Sequence, residues 1–90
     1  MNSKALTDLV VDALDDVKAK DIVRLDVREM TSVTDYMVVA SGTSSRHVKA
    51  LVDSVAEKAK AAGHRPIGIE GAEGGEWGLL GLHDTLVHVL

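Results

Sequence analysis

An α/β single domain, a mixed five-stranded sheet carrying two main helices in the order α-β-β-α-β-β-β, is predicted by three features of these 90 residues. Two segments repeat apolar residues at three-and-four spacing, and five shorter ones alternate or run apolar. Turn-forming clusters of Gly, Ser and Asp separate them, with no internal repeat and no linker, so residues 1–90 read as one domain. With 46% hydrophobic residues and no cysteine, the chain has a core to build and no disulfides to build it with. Aromatics are only 2%, so that core is aliphatic.

The first helix is expected over residues 3–18, where Leu6, Leu9, Val10, Ala13, Leu14 and Val17 draw one apolar stripe. Asn2 or Ser3 suits its N-cap, and Lys18 and Lys20 suit the negative end of its dipole. Residues 22–28 switch to period two. Val23, Leu25 and Val27 alternate with Arg24, Asp26 and Arg28, as in a strand with one wet face. After a polar connection, Met37–Ala40 is an unbroken apolar run, the pattern of a strand covered on both faces. The second helix carries Val48, Leu51, Val52, Val55, Ala56 and Ala59 inward, with Thr43 or a following serine as cap and Gly63 beyond its end. Joining one strand to another, it predicts a parallel crossover. Pro66 opens a short strand around Ile67 and Ile69. Glycine-rich residues 71–75 lead to a strand at 77–80, Gly81 to Asp84 turn, and residues 85–90 form the last strand.

Ten Lys and Arg against fourteen Asp and Glu give a net charge of −4, which disfavours autonomous binding to a nucleic-acid backbone and favours a basic protein partner. No stretch approaches the ~18 apolar residues of a membrane span, and no transit segment rich in Arg and Ser precedes the first helix, so a cytoplasmic protein is expected.

Ser41, Gly42, Thr43, Ser44 and Ser45, followed by Arg46 and His47, form a strand-to-helix junction whose free amides would suit a phosphate. No GxxxxGK[ST] or GxGxxG accompanies it. Histidines 47, 64, 83 and 88 lack metal-ligand spacing, Asp26 has Arg24 and Arg28 where a second catalytic carboxylate would stand, and no GxSxG elbow is present. Catalysis, a metal and a cofactor are therefore not expected. The segment from Glu70 to Trp77 is acidic and ends at the only tryptophan, the residue type most often found at the centre of an interface.

Together, Asp21-Ile22-Val23, Leu25-Asp26-Val27, Thr34-Asp35-Tyr36-Met37, the stretch from Ala40 through Ser41-Gly42-Thr43-Ser44-Ser45-Arg46-His47 to Val48, Glu70-Gly71, Trp77 and Asp84 with Val87-His88-Val89 resemble the Iojap family. The resemblance spans nearly the whole chain. Bacterial members of that family are ribosomal silencing factors. The resemblance implies a nucleotidyltransferase-like fold without catalytic carboxylates, and a translation repressor. Such a repressor binds ribosomal protein L-fourteen on the large subunit and blocks joining of the small one. It also implies a homodimer when free. On this reading Trp77 is the first contact residue, with Leu79, Leu82, Asp84 and Glu70 as neighbours. The Ser41–His47 loop is the signature, shaping fold or dimer. Family members continue past the VHV strand with an aromatic-containing helix, so that C-terminal tail is expected to be absent here and self-association to differ accordingly. The alternatives are a nucleotide- or phosphate-handling enzyme using the Ser41–His47 loop, and a ribosome-assembly factor without repression.

Overall fold

The computed structural model describes residues 2–71, 74 and 76–90. Helix α1 (Ser3–Asp16) is followed by β1 (Lys20–Asp26), β2 (Tyr36–Ser41), α2 (Ser45–Ala61), β3 (Gly68–Glu70), β4 (Gly78–Gly81) and β5 (Thr85–Val89). The strands form one mixed sheet in the order β1-β2-β5-β4-β3. Only β2 and β5 pair in parallel; β1–β2, β3–β4 and β4–β5 are antiparallel. Chained through β5 and β4, these directions make β3 parallel to β2, so α2 spans the expected parallel crossover. Part of the expected glycine-rich connection, Ala72, Glu73 and Gly75, lies outside the described residues.

Local chemistry sets the helix ends. The Asn2 side chain accepts the Ala5 amide at 2.8 Å, and Ser44 accepts that of His47 at 3.1 Å. Helix α1 ends at Asp16 rather than 18 because Lys18 turns left-handed, with φ of 60°, and the Ala19 amide closes on Leu14 O. Both helices lie on one face of the sheet. Leu6, Val10, Ala13 and Leu14 of α1 and Val48, Leu51, Val52, Val55 and Ala59 of α2 pack against Val38, Ala40, Leu80, Val87 and Val89. The buried Thr7 and Thr85 of this core satisfy one another. Thr7 Oγ1 donates to Ser3 O at 2.8 Å and lies 3.1 Å from Thr85 Oγ1, so Thr85 supplies the second hydrogen.

Three strand expectations are corrected. Met37–Ala40 is covered on one face only: Val38 and Ala40 are buried under the helices, while Met37 and Val39 are half-buried on the other side. Strand β1 has the opposite parity to the one expected. A bulge between Lys20 and Val23, where Asp21 is left-handed at φ 51°, sets Arg24 opposite Val38 on the helix side, and Arg24 pairs with Asp8 of α1. Val23 and Leu25 then stand on the uncovered face, and the buried Val27 falls just beyond the strand. Gly81 belongs to β4, pairing with both Gly68 and Leu86, so the last hairpin turns on Leu82–Asp84 alone.

No helix of the described residues is long and apolar enough to cross a membrane. Among the same residues, no group of three or more acidic or histidine side chains is placed to hold a metal.

Candidate interaction face

With both helices on one side, no helix or strand among the described residues covers the other side of the sheet, and the strand registers write its composition out in rows. One row reads Leu25, Met37, Leu86, Gly81, Gly68 from β1 to β3. The next reads Val23, Val39, His88, Leu79, Glu70. Seven of these ten side chains are aliphatic or are glycine hydrogens, and Met, His and Glu complete them. An antiparallel sheet face turned to water is ordinarily polar. Strand spacing and rise give this face an area of roughly 300 Å², at the lower end of the size range where exposed apolar patches are commonly functional.

Trp77 stands at one end of the face, 42% exposed, immediately before β4. Its ring meets His88 edge-on, with centroids 6.4 Å apart and planes at 85°. The rest of the ring lies on Gly71, where a Cβ would come within 2.6 Å of it. Gly71 also has φ of +79°, so the position is closed to other residues on two independent grounds. At the other end, Val33, Ile67, Leu79, Leu82 and Leu86 border a groove of about 340 Å³, with Glu70 and His83 on its rim. Val33 and Ile67 are 79% and 76% exposed.

The structure thus gathers Trp77, Leu79 and Glu70 on one face and puts Leu82 in the groove wall, 4% exposed. Asp84 is placed differently. Its carbonyl accepts the Asp35 and Tyr36 amides at 3.0 and 3.1 Å, and its carboxylate lies 3.3 Å from Ser3 Oγ. It ties the last hairpin to the β1–β2 connection and to the start of α1. His83 and Asp84 approach to 3.7 Å across the turn, closer than opposite-facing neighbours of an extended chain would. Sequence reasoning passed over Gly71, Met37, Val39, Leu86 and His88. The last three were detectable as alternate positions of strands already identified, once the number of covering helices was counted.

The Ser41–His47 loop sits on the helix layer and spends its donors internally. The Gly42 amide bonds Leu90 O at 2.8 Å and the Thr43 amide bonds His47 Nδ1 at 2.9 Å. His47 Nε2 donates to Val17 O at 2.6 Å, so the imidazole is neutral and joins the loop to the end of α1. Gly42 is required by space: a Cβ there would lie 2.8 Å from Val48 Cγ2 and 3.0 Å from its amide nitrogen. Ser45 and Arg46 are exposed at the start of α2, and Ser41 closes β2 opposite Lys20. A phosphate cradle needs the loop amides free, and Gly42, Thr43 and His47 have already committed theirs. Asp26, the acid nearest a catalytic position, is chelated by Arg28 through Nε at 3.0 Å and a terminal nitrogen at 2.7 Å, which holds its carboxyl below the usual range. Arg28 in turn stacks 5.4 Å over the Tyr36 ring.

Comparisons with known proteins bear on the family and on the fold. The family model described as "Ribosomal silencing factor during starvation" matches residues 1–90. The chain is 46% identical over 90 residues to the ribosomal silencing factor RsfS of Chromobacterium violaceum, covering all of this chain and 74% of that protein. It is 33% identical to the RsfS of Bacillus subtilis over 89 residues, 75% of that protein. The mouse protein "Mitochondrial assembly of ribosomal large subunit protein 1" is 30% identical over 86 residues, only 38% of its own length. Among solved structures, a Chromobacterium violaceum protein superposes with a TM-score of 0.98 at 46% identity, covering this chain fully and 75% of that one. A Bacillus halodurans protein does so with a TM-score of 0.93 at 31% identity, covering 98% of this chain and 82% of that one.

Proposed function

This chain belongs to the RsfS family of ribosomal silencing factors, and on that premise we propose that it represses translation by steric obstruction rather than by turnover. Its bare sheet face docks on ribosomal protein L-fourteen of the large subunit, and its bulk then keeps the small subunit away. The observation that carries this reading is the uncovered apolar face ending in a 42%-exposed Trp77. A face of that composition is poorly tolerated in water without a partner, and Trp is the residue type most enriched among interface hot spots. The net charge of −4 suits a cationic protein and discourages indiscriminate adhesion to RNA. The mechanism needs no cofactor and no metal, only affinity and size. The setting is the bacterial cytoplasm, and the free protein pairs as a homodimer.

The test is co-sedimentation with purified large subunits at several salt concentrations, followed by a subunit-joining assay. Binding together with loss of joining supports repression. A second reading, assembly of the large subunit without repression, draws on the mouse relative's name. It predicts binding to immature large subunits with joining of finished ones unimpaired.

A further inference from the structure

We propose that Gly68 and Gly81 form the floor of a slot that receives one bulky apolar side chain, flanked by a Lys or Arg, from the basic ribosomal protein surface. This rests on the functional reading above and names the recognition element within it.

The two glycines face each other across the β3–β4 ladder, in the row that begins Leu25, Met37, Leu86. Three side chains are thus followed by two bare positions, and the sheet surface drops to backbone. Neither glycine is there for conformation, since the positive-φ glycines are Gly63 and Gly71. Neither is there for packing, since a Cβ built on either meets no atom within 4 Å. Gly42 and Gly71 make the contrast, because each has a neighbour inside 3 Å that forbids a side chain. Gly68 opens β3 and Gly81 closes β4; a glycine paired in a sheet gives up side-chain packing, and close approach of another molecule to the backbone is one use for such a position.

The surroundings define what approaches. Val33, Ile67, Leu79, Leu82 and Leu86 make the walls of this groove of about 340 Å³ apolar, and both glycines line it. Glu70 at the rim, in the next row and two residues from Gly68, supplies the charge that a cation beside the inserted group would meet. The slot is continuous with Trp77 through Leu79 and His88, so one partner surface covers both.

The test titrates purified large ribosomal subunits with the unsubstituted chain, Gly81→Val and Gly68→Ala, alongside thermal melts of all three. Filling an open strand position with a β-branched residue should leave the melting temperature equal to or above that of the parent. Affinity should fall by about tenfold or more for Gly81→Val, and by a smaller factor for Gly68→Ala. A Gly81→Val chain that binds within about twofold of a binding parent overturns the slot and leaves the functional reading intact. One that melts well below the parent overturns the claim that the position is open. A parent that ignores large subunits overturns the functional reading itself, and the slot's partner with it.

Discussion

Replacing Trp77 with Ala measures how much of the docking energy rests on one side chain. The residue is 42% exposed in the free protein. A Trp buries about 150–250 Å² when fully covered, so roughly 100 Å² remains for a partner to cover. At about 25 cal/mol per Å² that area contributes ~2.5 kcal/mol. The alanine Cβ retains a little of it, leaving a loss of about 2 kcal/mol, or roughly 30-fold in Kd. The buried part of the ring packs on Gly71 and against His88, so truncation also loosens the β3–β4 connection. A urea melt must therefore show the variant folded at the assay temperature. Equilibrium sedimentation with large subunits, at fixed salt, then reads the affinity. A folded Trp77→Ala chain whose Kd moves less than about threefold would refute the assignment of this face as the docking surface.

Gly71→Ala should destabilise by about 1–3 kcal/mol through its left-handed backbone and the displaced indole; a lower urea midpoint with a shifted Trp fluorescence maximum checks it. His47→Ala removes an acceptor for the Thr43 amide and a donor to Val17 O, at an expected cost of about 1–3 kcal/mol. Because His47 is on the helix layer, the folded variant should bind large subunits as the parent does. Asp26 is held below the ordinary carboxylate value by hydrogen bonds from the Arg28 side chain and amide. A lowered folded-state value stabilises above the unfolded pKa near 3.9, and that contribution fades as pH falls through the lowered value. Both groups are fully exposed, so the effect on the acid transition should be slight. NMR titration of Arg28→Ala should move the Asp26 carboxyl back up toward the ordinary range.

The helices were legible in the sequence because three-and-four periodicity reports burial directly: every residue of the α2 stripe except Ala56 is fully buried. The number, order and parallel crossover of the strands also followed from pattern. What did not follow was which face each strand turns inward. Val23-Arg24-Leu25 alternates cleanly, yet the bulge at Asp21 and the register with β2 send Arg24 to the helix side. The Met37–Ala40 run reads the same whether its second face meets a helix or a partner. Hydrophobic alternation measures removal from water and is silent about which molecule does the removing. Trp77 was conspicuous as a lone aromatic; Gly71 beneath it was not, because its requirement arises only when a ring six residues later folds back over it.

That ambiguity explains how the fold and the docking surface divide the sequence between them. Along β4 and β5, Leu80, Val87 and Val89 are buried and hold the helices, while the alternating residues Leu79, Leu86 and His88 are half-buried and face outward. The same strands therefore build the core with one set of residues and the proposed docking face with the other. Period-two geometry lets the second set be apolar without contributing much to the first. Strands also fix side chains better than loops do, which suits the steric docking proposed above. The cost is a sheet face that attracts unwanted contacts. His88 in the middle of the second row and Glu70 at its end interrupt the apolar surface, and the bulged, charged β1 edge resists pairing with another sheet. The net charge of −4 suits the cationic partner proposed above.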